Sequence, residues 1–393
     1  MKLVGKDYCT GCGNCIFACK KQAIEFKRDE LNNIYPQIDE SKCVECGLCN
    51  KACPAINKVE KKKPTDCHSA YSTSEKIRNS SASGGVAQSV YRYCLDNNLL
   101  FTGVYFDNDR LEAVHKLGST EDDIREFTNS KYTFSYMGDI SEKITECLKA
   151  DKKIVFIGLP CQVAAVKKYV ENVKVDEKNL TTIDIICHGV PSDNYIKEHV
   201  KDICKGKKVE NLSFRDERFM TSKFVFSVDY GGKNYHKYVE SNDNFQIGYH
   251  NATIYRPNCY NCIYADSQRC GDITIGDFTG LGRAASIKEN VAKMKYKGVS
   301  CVLCNSTKGE NLLNELITKN YLITEARPMD EALEYENQLM KPSVPSPYRA
   351  EFVDLYSKVG FTKACNSAFK KEKLKRPIIH AAKMCVKRIL GRK

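Results

Sequence analysis

The chain has 393 residues, 21 of them cysteine, and a formal net charge of +12. A hydrophobic fraction of 42% excludes a disordered chain, and the length suits two or three domains. Ten Lys/Arg and one Glu lie between Lys370 and Lys393. The charge excess is therefore mostly terminal, which excludes the evenly basic face of a nucleic-acid binder.

Met1 to Asp7 hold no apolar stretch, so no signal peptide is expected. No run reaches the roughly 18 apolar residues of a membrane helix. A disulfide scaffold needs a small secreted chain. This chain is large and its cysteine count is odd. The cysteines are expected to be reduced, cytoplasmic and partly metal-bound.

Residues 1–58 read as one compact unit. It holds two copies of C-x2-C-x2-C-x3-C: Cys9, Cys12, Cys15, Cys19 and Cys43, Cys46, Cys49, Cys53. Three thiolates two residues apart can wrap one cubane. The fourth, a helical turn later, faces the other way, and in two-cluster ferredoxins it serves the opposite cluster. One 4Fe-4S cluster is thus expected on Cys9, Cys12, Cys15 and Cys53, and a second on Cys43, Cys46, Cys49 and Cys19. Gly11, Gly13 and Gly47 keep the loops free of bulk. Lys20 stands where the motif usually has Pro, while Pro54 keeps the pattern in the second copy. Zinc or chance would have to produce two complete motifs. The unit also offers a docking surface to an external ferredoxin or other redox partner.

Residues 59–66 read as a charged linker. Residues 67–151 alternate, with helices over 85–97 and 141–150 and strands over 101–106 and 113–117. Residues 152–345 begin with a clearer pattern: strand 154–157, helix 162–170, strand 181–186, and a helix from Ser192 to about Cys204. That order predicts a parallel sheet. Further strands are expected over 224–230, 273–275 and 299–303, with helices over 309–318 and 331–340. Residues 346–393 read as a helical basic tail.

Cys161 opens a helix after Pro160, where the positive helix end lowers a thiol pKa. Cys187 ends the next strand. If those strands are parallel neighbours, both thiols lie at one carboxyl edge of the sheet, where open α/β folds bind ligands. Cys259 and Cys262 form a C-x2-C turn. Together the four can hold a third 4Fe-4S cluster. Zinc or free thiols suit a lone C-x2-C as well, and Cys270 is a competing ligand. Cys301 and Cys304 lie three apart on a strand and read as core. Cys67, Cys94, Cys147, Cys204, Cys365 and Cys385 are isolated and read as small apolar residues.

Five ordered segments resemble the coenzyme F-420 hydrogenase/dehydrogenase beta-subunit family. They are Ser81-Ala-Ser83-Gly84-Gly85, Lys131-Tyr132 with Ser135, and Gly158-Leu-Pro160-Cys161-Gln162. Cys187-His188-Gly189-Val190-Pro191-Ser192 follows, then Cys259-x2-Cys262 with Asp272 to Phe278. The resemblance covers roughly residues 68–340. It implies FAD with a further cluster beside it, and so a ferredoxin-linked flavoprotein oxidoreductase acting on a small-molecule substrate or coenzyme. Several members sit among bacterial surface-polysaccharide genes. The implied fold is a small ferredoxin-like domain followed by an α/β body with a mixed, partly parallel sheet, an α+β / α/β chain overall.

No G-x-G-x-x-G follows a strand, so a Rossmann-type site is not indicated. The flavin candidate is Ser81, Ser83, Gly84 and Gly85, opening a helix whose free N–H groups suit a phosphate. Residues alone favour a capped helix after a serine loop; the resemblance reverses that preference. Lys131 and Gln162 are further cofactor candidates. His188 is a candidate proton donor or a hydrogen-bonding neighbour, and Asp272 and Asp277 are candidate pocket residues. Two other functions suit the sequence: an electron-transfer subunit without its own chemistry, and a zinc scaffold without flavin. In the tail, Ile378, Ala382, Cys385 and Ile389 recur at helical spacing, which suits contact with an anionic membrane or a partner.

Overall fold

The structure, a computed structural model, describes residues 1–376. The N-terminal pseudo-repeat is also one in space. Strands β1 (Ile24–Arg28) and β2 (Ile34–Ile38) form an antiparallel hairpin. Short helices, Asn14–Phe17 and Leu48–Ala52, follow the two cysteine loops. Each helix starts after a glycine with positive φ, Gly13 at 85° and Gly47 at 76°. That conformation costs a side-chain-bearing residue about 1 kcal/mol or more.

The body is built on β3 (Asp66–Ser72), β4 (Leu100–Asp107), β5 (Glu112–Gly118), β6 (Ser135–Tyr136), β7 (Ile154–Gly158) and β8 (Leu180–Ile185). A separate antiparallel sheet holds β9 (Val209–Ser213), β10 (Phe226–Tyr230) and β11 (Lys233–Lys237). Then β12 (Ile273–Asp277), β13 (Ser300–Cys304) and β14 (Leu322–Ala326) complete the main sheet. Its order is β14-β3-β13-β12-β8-β7-β4-β5-β6. The run β12, β8, β7, β4 is parallel, and the neighbours β13, β3, β14 and β5 are antiparallel. The expected mixed, partly parallel sheet is therefore present.

Helices cover both faces, which is why the central strands read as unbroken apolar runs. Val155 and Ile157 pack with the helices Val86–Asp96 and Thr307–Thr318. The alternate residues Ile154 and Phe156 pack with Ile140–Lys149 and Pro160–Asn172. Cys301 and Cys304 are buried on β13, and Cys67, Cys94, Cys204 and Cys365 are buried as well.

Three expectations change. The segment 331–340 is not one helix: Met329–Leu333 is helical, and Glu336 then turns to φ −116°, ψ 88°. That turn brings its carboxylate to the Thr279 hydroxyl, which donates to it at 2.9 Å. The linker 59–66 is not a free tether, because Lys62 and Arg269 exchange backbone hydrogen bonds at 2.8 Å in both directions. The segment from 346 is not all tail. The helix Arg349–Ala368, broken at Gly360, buries Phe352, Tyr356, Phe361 and Cys365 in the core. Leu374 is exposed. The remainder of the proposed amphipathic pattern, from Ile378 and including Cys385, lies outside the described residues. Among the described residues, no helix is long and apolar enough to cross a membrane.

Candidate redox site

The two cysteine loops bring their thiols together as the spacing predicts. Cys9, Cys12, Cys15 and Cys53 form one group. Burial, with the neighbouring thiols adding to it, pushes Cys12 up to about 12 and Cys15 higher still. Cys49 is raised by burial first and then by Cys46 and Cys19, which puts Cys19 with the second loop. The Cys19 sulfur also accepts from the Ala23 N–H at 3.3 Å. Crowded, buried thiols stay protonated unless a cation offsets their charge, so these donor sets fit polynuclear metal sites. Cys46 is exposed, whereas Cys9 is buried at the body interface. The second set is therefore open to solvent at Cys46, though its Cys49 is buried.

Several side chains fix that interface. Asn14 Nδ2 donates to Ala165 O at 2.8 Å, on the helix Pro160–Asn172. Arg28 donates to both carboxylate oxygens of Asp193 at 2.9 and 2.8 Å. Ser192 Oγ donates to Asn32 O at 2.7 Å.

The parallel pairing of β7 with β8 sets Gly158 beside Asp184. Cys161 and Cys187 thus leave the sheet at one carboxyl edge, as expected. The helix Pro257–Tyr260 brings Cys259 and Cys262 to them. All four thiols, with Cys12, line one small cavity of about 50 Å³. Burial pushes Cys161 and Cys187 well up, and the other thiols of the set add to it. Burial dominates at Cys161, so its thiol lies above the ordinary range although it sits at a helix start. Backbone N–H groups serve the sulfurs, with Val190 N donating to Cys259 Sγ at 3.4 Å. Cys270 is buried beside Tyr264 in the core below. Among the described residues, no three His, Cys, Asp or Glu side chains converge on a single-ion position. A cubane differs in giving each thiolate its own iron.

Beside this set lies a larger cavity of about 580 Å³. Ser81, Ser83, Gly85, Lys131, Gln162 and His188 all line it, and Cys187 lies in its wall. Ser83 Oγ, Gln88 Nε2, Thr133 Oγ1 and His250 Nε2 are buried, lack partners and belong to the same wall. Unpaired buried polar atoms are costly, so a polar ligand is the natural partner for them. Gly85, with φ 88°, caps the open N-terminus of Val86–Asp96. Gly84 does not line the cavity. A Cβ there would stand 2.3 Å from Ala70 O and 2.8 Å from Ser300 N, so Gly84 lets this segment press on the sheet. Lys131 donates to the carbonyls of Glu126, Thr128 and Asn129, closing a helix end. Gln162 caps its own helix through Leu159 N and donates to Ser135 Oγ at 2.8 Å. Asp277 lines the cavity. Asp272 turns away to Thr182 and Ser306.

Sequence reasoning missed Arg215. It is buried, pairs with Asp277 at 3.0 Å, donates to Tyr132 OH and Ala82 O, and stacks 3.7 Å above Phe224. Its charged neighbours Asp216, Glu217 and Arg218 mark no apolar pattern, so only the fold reveals its burial. His250 was also missed. Burial first, then Arg215, lowers its pKa to about 4, so it is neutral in the wall. His188 sits at the mouth with Nε2 3.8 Å from Glu336 Oε1.

Fold and cysteine sets together define an iron–sulfur redox protein: a two-cluster ferredoxin-type domain docked on an α/β body. The comparisons agree. Residues 67–140 and 151–330 match the N-terminal and C-terminal models of the coenzyme F420 hydrogenase/dehydrogenase beta subunit. Residues 8–57 match a 4Fe-4S dicluster domain. The chain belongs to the coenzyme F420 hydrogenase/dehydrogenase beta-subunit family, an oxidoreductase family, and its role is electron transfer through 4Fe-4S clusters. No curated protein matches it. A solved structure, a xenon derivative of the F420-reducing NiFe hydrogenase complex from Methanosarcina barkeri, is 18% identical with a TM-score of 0.46. That likeness covers 79% of this chain and 90% of the other.

Proposed function

We propose that the chain is an FAD-dependent oxidoreductase that exchanges electrons with a separate redox protein and acts on a small organic substrate or coenzyme. In this reading the three cysteine sets hold three 4Fe-4S clusters, with the ligands grouped as in the sequence, and the larger cavity holds FAD. The observation that carries it is the cavity itself: about 580 Å³, walled by Cys187, with Ser83, Gln88, Thr133 and His250, whose buried polar atoms lack partners, among its lining residues. Bound in these places, the clusters supply single-electron chemistry and the flavin links single electrons to pairs.

The chain's own residues divide the remaining work. The exposed loop around Cys46 is the approach for a partner. Asn14, Arg28 and Asp193 hold the first cysteine set against the body. Gly85, Ser83 and the helix start at Val86 suit a diphosphate, and the guanidinium of Arg215 adds positive charge. Neutral His250 and Gln88 offer hydrogen bonds to a polar ring edge. His188, backed by Glu336, holds or moves a proton at Nε2 where substrate would enter.

The test is an anaerobic preparation of the full chain, assayed for iron, zinc and released flavin. About twelve irons and one FAD per chain are expected. About eight irons without flavin would leave an electron-transfer subunit. Zinc with no flavin would leave a metal scaffold around Cys259 and Cys262.

A further inference from the structure

Arg256 is 1% exposed and among the largest fully buried side chains. The buried guanidinium groups of Arg215, Arg269 and Arg327 each meet a carboxylate. Arg256 meets none among the described residues. Nη2 donates to Ile34 O at 3.0 Å, Nε donates to Asn258 Oδ1 at 3.4 Å, and Nη1 has no partner. Leaving a buried charge without its counter-ion costs several kcal/mol. The rings of Tyr35 and Phe134, with centroids 4.8 and 4.7 Å away, offset only part of that.

The location supplies the missing partner. A Cβ on Gly11 would stand 3.2 Å from Nη2, so the guanidinium touches the first cysteine loop. The Arg256 N–H donates to Val190 O at 2.9 Å, next to the amide that serves Cys259. Gly11, Phe134 and Asn258, all in contact with the Arg256 guanidinium, line the small cavity of the Cys161 set. The cation therefore lies between the first cysteine set and the Cys161 set. A 4Fe-4S core on four thiolates is an anion, and each one-electron reduction adds a negative charge.

We propose that Arg256 is the shared counter-cation of these two sets, favouring the reduced state of both while leaving the Cys43 set unaffected. The proposal rests on the assignment of a cluster to each cysteine set. Its test is an anaerobic, EPR-monitored redox titration of the loaded full chain, for wild type, Arg256→Gln and Arg256→Lys. In Arg256→Gln, two of three midpoints are expected to fall. At a fixed potential those clusters would be about tenfold less reduced, a shift of about 59 mV for a one-electron couple. The third midpoint stays in place, and Arg256→Lys recovers part of the loss. Unmoved midpoints in a fully loaded Arg256→Gln chain overturn the proposal. If Arg256→Gln fails to load iron, Arg256→Lys decides. Full loading with midpoints near wild type supports a charge requirement, and the same iron loss overturns it. The number of midpoints in wild type tests the cluster assignment separately: two rather than three would sink the third cluster, while the shift on the first set still tests Arg256.

Discussion

Lys131 allows the cavity wall to be probed by pH. Its ammonium donates to three carbonyls at 3.1, 2.7 and 3.3 Å. Burial lowers its pKa to about 7, with Glu126 opposing. In an unfolded chain the pKa is about 10.4. Below pH 7 both states carry the proton, so the cost of burying the charge is present in full. Between about pH 7 and 10 the folded chain has released a proton that the unfolded chain still holds. Stability must then rise with pH, by at most about 1.4 kcal/mol per unit. Over two units the ceiling is about 2.7 kcal/mol. The carbonyls favour the charged form and the side chain is only half-buried, so about 1–2 kcal/mol is expected. Lys131→Met removes the titration. Urea unfolding followed by far-UV circular dichroism, from about pH 6.5 to 9, compares the two proteins anaerobically. The variant should be the more stable protein at the acid end and lose that advantage as pH rises. Parallel pH curves for the two would refute the burial of a charged ammonium here.

Cys161→Ser should lower iron from about twelve to about eight per chain, whereas Cys270→Ser should leave it unchanged, by colorimetric iron assay. Gly84→Ala forces a methyl into Ala70 O and should cost about 2–3 kcal/mol in urea unfolding. Gly5→Ala, with nothing within 4 Å, should stay within about 0.5 kcal/mol. Asp193→Asn leaves Arg28 and Lys197 without their buried carboxylate. Arg28 is partly exposed, so the loss should be about 2 kcal/mol, seen as roughly thirtyfold faster amide exchange in the hairpin Ile24–Ile38.

The eight N-terminal cysteines were legible because a cubane loop is local. Three of the four cysteines in each set lie three positions apart in one motif, and the repeated motif supplies the fourth. The parallel strands were legible for a similar reason, since burial on both faces leaves an unbroken apolar run such as Ile154 to Ile157. Cys161 and Cys187 could be paired once the strand–helix–strand order implied a shared sheet edge. Arg215, Arg256 and Glu336 were not legible. A charged residue in sequence reads as solvated, and its burial depends on segments hundreds of residues apart, as when Arg256 meets Ile34. The docking of the first cysteine set on the body, the packing of Gly84 on β3 and the cavity walled by Cys187 were likewise decided only by the tertiary structure. Each is a long-range contact, and no local pattern records which distant surfaces will meet.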